Sequence, residues 1–257
     1  LFTHSSFPEK EARMNIKTSL FTLVCCLCQL AVFAQDTTAE KPARLRQHVY
    51  PSIGGDGPIL TFGDVKYGGE HVSTAPRFTF FFNMGRNYNY DFSKWMGIFS
   101  GINIKNIGII TKGSDTLDIK LKRRVYTLGV PFGIKIGDVR GQNFFFFLGG
   151  QYDLAFNYKE KQFVDGKKIK KFNEWFSDRT PLLMPSLFAG FRFYPGIGLK
   201  VQYYPNDFFN KNYKETIAGV ATYPYRNVAS KMFLVTLTYD FRDPFIKNYG
   251  HFKMIRN

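Results

Sequence analysis

The sequence predicts an all-β protein, an eight-stranded antiparallel up-and-down transmembrane β-barrel. Three observations predict it. Segments of up to 16 residues alternate between an apolar, aromatic face and a polar face, the period of two that marks a strand. The less apolar face of nearly every such segment carries a charged group, which suits a sheet that meets lipid outside and is wet or salt-bridged inside. After the first strand, the connections alternate strictly between loops and short turns, and outer-membrane barrels join short periplasmic turns to longer outer loops. A soluble eight-stranded barrel is the alternative. Alternation alone does not tell inside from outside; strand length, the charges and the aromatic content favour the membrane form.

Composition narrows the class. The 257 residues suit a single barrel. The 29 Phe and 15 Tyr fit a lipid-facing surface with interfacial girdles. The mean hydropathy is negative, and beyond its first segment the chain has no apolar run near the roughly 18 residues of a spanning helix, so a helical bundle is excluded. The net charge of +15 raises nucleic acid as a partner. The cations are spread over strands, loops and tails without a recognition motif, so no nucleic-acid partner is expected. Anionic headgroups and lipopolysaccharide phosphates are the better match.

Met14–Lys17 opens a basic region, Leu20–Phe33 forms an apolar core, and Val32-Phe33-Ala34 places small residues before a polar stretch. This pattern predicts a cleavable secretory signal peptide over 14–34, with residues 1–13 as upstream translation. Cys25, Cys26 and Cys28 all lie inside the apolar core, so the exported chain is expected to lack disulfides and thiol chemistry. Residues 35–58 are polar and punctuated by Pro and Gly, and are expected to form a periplasmic extension.

The barrel is expected over 59–241. Ile59–Tyr67 alternates poorly and is the weakest strand. Arg77–Phe92 sets Phe78, Phe80, Phe82, Met84, Tyr88 and Tyr90 against Arg77, Asn83, Asn87 and Asn89. After a short turn, Trp95–Ile110 places Ile98, Ile102 and Ile104 opposite Asn103 and Lys105. Thr111–Asp118 is a loop. Ile119–Ile136 opposes Tyr126, Leu128, Val130 and Phe132 to Arg123, Thr127 and Lys135, and Pro131 inside it predicts a bulge or bend. A tight turn leads to Asn143–Tyr158, whose greasy face runs from Phe144 to Tyr158 and whose other face ends polar, with Asp153. Lys159–Pro181 is a long basic loop. Leu182–Tyr194 carries Arg192 inward, Ile197–Asn206 carries Lys200, and Lys231–Phe241 carries Asp240. Asp207–Ser230 is a second long loop, and 242–257 a periplasmic tail.

The run Val125-Tyr126-Thr127-Leu128-Gly129-Val130-Pro131-Phe132-Gly133-Ile134-Lys135 resembles the Tyr-x-Leu-x-Ile-Pro-…-Lys strand of PorT-like outer-membrane β-barrel proteins. The aromatic-ended final strand Phe233–Phe241 is similar to the signal read by barrel-assembly machinery, although sixteen residues follow it. The resemblance implies a barrel fold and an outer-membrane location. It carries no catalytic residues, and one branch of that family is implicated in protein secretion.

An eight-stranded barrel has an interior just wide enough for side chains. The expected lumen set is Arg77, Lys105, Arg123, Lys135, Asp153, Arg192, Lys200 and Asp240. It reads as a salt-bridged plug or as a narrow anion-preferring conduit, the plug being favoured. Its six cations against two acids leave an excess of buried charge without a cause. The basic run with Lys167, Lys168, Lys170, Lys171 and Trp175 is read either as a contact for lipopolysaccharide or an envelope protein, or as a solvated loop. His71 with Ser114 and Asp115 could form a nucleophile and base for lipid modification, but Gly-Ser-Asp is a common loop tip, so no enzyme is expected. No metal-ligand cluster or cofactor motif is present, and no cofactor is expected. The expectation is an exported bacterial outer-membrane protein that acts through its outer loops.

Overall fold

The structure, a computed structural model, describes residues 49–80, 83–113, 118–141, 143–217 and 219–242. The expected signal peptide, the upstream segment, most of the N-terminal extension, the loop tip with Ser114 and Asp115, and nearly all of the C-terminal tail lie outside the described residues. In chain order the strands are β1 (Val49–Tyr67), β2 (Glu70–His71), β3 (Thr74–Ala75), β4 (Arg77–Thr79), β5 (Met84–Tyr90), β6 (Met96–Lys112), β7 (Ile119–Gly137), β8 (Phe144–Val164), β9 (Lys167–Trp175), β10 (Leu183–Phe193), β11 (Ile197–Tyr204), β12 (Glu215–Ile217), β13 (Val220–Thr222) and β14 (Val228–Arg242).

These strands close a ring. β1 pairs β4 and β5, β5 pairs β6, and the order continues through β7, β8, β10, β11 and β14 back to β1, every pair antiparallel. Counting β4 and β5 as one wall strand gives the expected eight. Closure removes the unpaired edges that an open sheet of this size would expose.

The ring is inside out relative to a soluble barrel. Val130, Phe132, Phe146, Leu148, Leu187 and Ile102 stand exposed on the outer face, while Lys105, Asp153, Gln151, Lys135 and Thr236 are buried within. An aromatic band of Tyr90, Phe92, Trp95, Phe144, Tyr194 and Phe241 rims the end with the short turns. On β7, Tyr126 to Ile136 brackets the apolar stretch. Ten steps at about 3.3 Å, tilted near 40°, give about 25 Å of height, the apolar band of a transmembrane barrel.

Four sequence expectations are corrected. β1 starts at Val49, so the extension expected over 35–58 supplies wall from Val49 onward, pairing with β5 and β14. The glycines that read as a loop permit close packing: a Cβ on Gly54 would meet the backbone of Tyr239 and Asp240. The register shifts between Asp56 and Ile59, at Pro58. Next, Pro131 makes no bulge. The β6–β7 register is unbroken across it, with a gap between the pairs Ser100–Phe132 and Asn103–Gly129, and the Ser100 hydroxyl donates to the Pro131 carbonyl at 2.8 Å. Third, the loop expected over 159–181 is largely strand. β8 runs to Val164, turns through Asp165 (φ 49) and Gly166 (φ 74), and returns as β9. Asp-Gly between alternating strands favours a two-residue turn with both φ positive. Lastly, the loop expected over 207–230 contains the β12–β13 hairpin.

β8 changes partner along its length. Phe144–Leu154 pairs with β10, whereas Asn157–Val164 pairs with β9. The outer parts of β6, β7 and β8, together with β9, thus form a four-stranded sheet that continues the wall beyond the barrel.

Candidate functional site

The lumen is filled in layers. At mid-height Lys105 Nζ on β6 lies 3.3 Å from Asp153 Oδ2, 3.1 Å from Gln202 Oε1 and 3.2 Å from the Tyr204 hydroxyl. Gln202 and Tyr204 belong to β11, four places round the eight-strand ring from β6, so this ammonium ties one wall to the wall opposite. Asp153 accepts from Tyr204 at 2.7 Å, from Gln151 Nε2 at 2.7 Å and from Thr127 Oγ1 at 3.2 Å. Asp56 on β1 pairs with Lys200 and lies 3.9 Å from Lys105. Gln202 Nε2 donates to Ser186 Oγ at 2.7 Å. A carboxylate that accepts three hydrogen bonds beside a cation loses little on leaving water. Gly129 makes room for this cluster, since a Cβ there would strike Gln151, Asn103 and Asp153.

Toward the short-turn end, Lys135 Nζ reaches Asp91 at 2.5 Å, Asn89 at 3.1 Å and the Tyr50 hydroxyl at 3.1 Å. Arg192 and Asp240 pair at 2.5 Å. Between these polar groups lies an aromatic layer of Phe99, Phe147 and Phe188, with ring centroids about 6 Å apart. Toward the outer end Arg123 pairs with Glu160 at 3.0 Å, and Tyr158, Phe208, Phe209 and Tyr225 form an apolar cap. The cavity beside Asp56, Gln151, Arg192 and Lys200 measures about 40 Å³, room for a few ordered waters at most.

Of the eight residues expected in the lumen, seven are there: Lys105, Arg123, Lys135, Asp153, Arg192, Lys200 and Asp240. Arg77 is the exception. Its guanidinium donates to the Asn106 carbonyl at 3.1 Å and to Asn106 Oδ1 at 2.6 Å, in the wall between β4 and β6. It lines an outer groove with Lys122, Arg124 and Lys161. The expected lumen set left out Asp56, Asp91 and Glu160, although Asp91 shares the polar face of Arg77–Phe92. These three carboxylates account for most of the apparent cation excess. Asp56 sat among Gly and Pro, Asp91 read as a turn residue, and Glu160 stood inside a basic run. The Asp165-Gly166 turn is the signal that would have returned Glu160 to a strand.

The expected outer contact residues Lys167, Lys168, Lys170, Lys171 and Trp175 are exposed on β9, and the sheet divides them between its faces. Lys171 lies opposite Lys161, Lys170 reaches over the Phe172 ring, and Trp175 stacks on Phe156 at 5.9 Å. His71 lies 3.3 Å from Asp64 at the outer end of the barrel, with both groups largely exposed.

In the loop after β11, Asp207 accepts from the Ser230 N–H at 2.8 Å and pairs with Lys211 at 2.8 Å and Lys231 at 3.5 Å. Burial alone would raise its pKa, but Lys211, the Ser230 amide and Lys231 outweigh it and hold the carboxyl below its ordinary value. The stabilisation is therefore complete above the ordinary aspartate pKa and is lost as pH falls through the lowered folded value. Asp207→Asn should be less stable than the wild type at neutral pH by under about 1 kcal/mol. The gap should close in acid when unfolding midpoints are compared across pH.

No protein-family model matches this chain, and no curated protein does. Among solved structures, it is similar to Ail, the attachment invasion locus protein of Yersinia pestis, in complex with the heparin analogue sucrose octasulfate, at 14% identity and a TM-score of 0.32, over 76% of this chain and 100% of that one. It is similar to Neisserial surface protein A at 10% identity and a TM-score of 0.35, over 76% and 100%. A third is the outer membrane protein OprG from Pseudomonas aeruginosa, at 12% identity and a TM-score of 0.29, over 79% and 100%.

Proposed function

We propose that this chain is a bacterial outer-membrane barrel with a closed lumen, which acts as a structural or interaction protein through its outer sheet and loops. The observation that carries this reading is the side-chain bridge across the bore, from Lys105 on β6 to Gln202 and Tyr204 on β11. A passive anion-preferring pore needs a continuous wet path, and the filled lumen opposes one. No catalytic role is proposed. Outer-membrane lipid, lipopolysaccharide and a further envelope protein are the partners that suit the exposed basic surface, and the assembly machinery suits the aromatic-ended β14. The PorT-like reading gains physical support from its motif strand: Tyr126 stands at the outer aromatic rim, Pro131 sits in the ladder gap, and Lys135 anchors the lower lumen cluster.

The test is orientation in living cells. Lys167→Cys, at the β8–β9 hairpin, should react with a membrane-impermeant maleimide on intact cells. Lys94→Cys, in the short turn before β6, should react only after the outer membrane is permeabilised. Equal or reversed labelling would contradict the reading.

A further inference from the structure

The outer face of the protruding sheet carries rows of cations directly above lipid-facing wall. Along β7 the outward register runs Phe132, Val130, Leu128, Tyr126, then Arg124, Lys122 and Lys120. The change from apolar to basic comes at an aromatic step, where Tyr126 packs on Phe156 and Phe156 on Trp175. Above it, Arg124 lies opposite Lys159, Lys122 opposite Lys161, and Lys161 opposite Lys171. Arg124 and Lys159 both approach the Tyr126 ring, at 5.8 and 4.8 Å.

Like charges directly across a ladder are destabilising. Among the described residues no carboxylate pairs with Lys122, Arg124, Lys159, Lys161 or Lys171, and the acid on this part of β8, Glu160, points inward to Arg123. Burial and then the neighbours Arg124, Lys171, Lys168 and Lys122 hold Lys161 below the ordinary lysine pKa. The lumen, by contrast, matches nearly every cation with an acid. This face therefore lacks an anion that folding does not supply. A groove of about 380 Å³ opens here, lined by Arg77, Phe78, Ile110, Lys122, Arg124 and Lys161. It joins an apolar patch to four cations, one of them the buried Arg77.

We infer that this face binds the phosphorylated headgroup of an outer-leaflet lipid, with Lys122, Arg124 and Lys161 on the phosphates and the acyl chains running down the Leu128–Phe132 wall. The position fixes the source as lipid, because the cations begin where the apolar band ends and continue the same outward register. Ammonium and guanidinium donors on a phosphate make charge-assisted hydrogen bonds, and each basic group near a charged headgroup layer adds to retention.

This inference rests on the outer-membrane reading, and one experiment separates the two. The full exported chain is inserted into phosphatidylcholine nanodiscs doped with bis-phosphorylated lipid A or with dephosphorylated lipid A. Insertion is read by heat-modifiable gel mobility, and retained lipid by native mass spectrometry. The wild type should retain the phosphorylated lipid, and Lys122→Gln/Lys161→Gln should lose about tenfold or more of that retention. Lys214→Gln/Arg226→Gln removes the same charge from exposed positions between β11 and β14, off this face, and should retain it. The face variant should also unfold no earlier than the wild type in phosphate-free lipid A, since it relieves repulsion. Equal retention by the face variant, no preference for the phosphorylated lipid, or displacement by inorganic phosphate would each overturn the lipid site while leaving the barrel standing. A wild type that fails to insert overturns both.

Discussion

Asp153→Ala should lower the unfolding free energy by about 3–5 kcal/mol, the cost of stripping one partner from a buried ion pair. Lys105 is fully buried, and without Asp153 its nearest carboxylate oxygen is Asp56 Oδ2 at 3.9 Å. The Tyr204 hydroxyl and Thr127 Oγ1 lose their acceptor in the same substitution, and Gln151 Nε2 is left with Asn103 Oδ1. The measurement is the urea midpoint of the chain folded into lipid vesicles, followed by the shift between heat-modified and compact gel forms. Lys105→Met/Asp153→Leu is the informative partner. Replacing the whole pair by apolar groups leaves no orphaned charge, so the double variant should recover much of the loss. An unchanged midpoint in Asp153→Ala would show that the lumen cluster does not hold the barrel together.

Asp91→Ala should produce a second loss of similar size through the same physics at the other end. Lys135 is buried, and Asp91 at 2.5 Å is its carboxylate partner; Asn89 and Tyr50 would remain as neutral contacts. The two clusters sit far apart. Lys105 is level with Thr127 and Lys135 lies eight residues further along β7, about 27 Å at strand rise. Their effects should therefore add within about 0.5 kcal/mol, so Asp91→Ala/Asp153→Ala should cost the sum of the single variants. A strongly sub-additive double would mean that the lumen opens as one unit.

Much of this architecture was legible in the sequence because the barrel obeys a period of two nearly everywhere. The alternation over Asn143–Tyr158 gave the lipid face as far as Phe156 and placed Asp153 on the other, although Tyr158, expected on the lipid face, is buried in the outer cap beyond a register shift against β7. The alternation of short and long connections ordered the strands. What stayed hidden has physical causes. Gly and Pro between 54 and 58 signal a loop in most contexts, yet here they admit a crowded strand crossing, and Asp56 went with them. Asp91 resembles an ordinary turn starter, although its carboxylate turns into the lumen. In Lys159–Lys171, high charge masked the alternation that splits Glu160 inward from Lys159 and Lys161 outward. Arg77 shares the inward parity of its strand, but a long side chain can leave through a gap in the wall, and parity does not fix where a guanidinium ends. Alternation set Phe147 on the same face as Asp153, but the aromatic layer it forms with Phe99 and Phe188 went unread, because a period of two gives the face of a side chain and not what it packs against across the bore.

Closure of the bore by its own side chains is the central claim, and single-channel recording of the wild-type chain in planar lipid bilayers tests it most directly. With Lys105 bonded across to Gln202 and Tyr204, and little more than water-sized space beside Asp56, inserted protein should leave the current at the level of the bare membrane. Stable, voltage-sustained conductance steps that scale with inserted protein would contradict it.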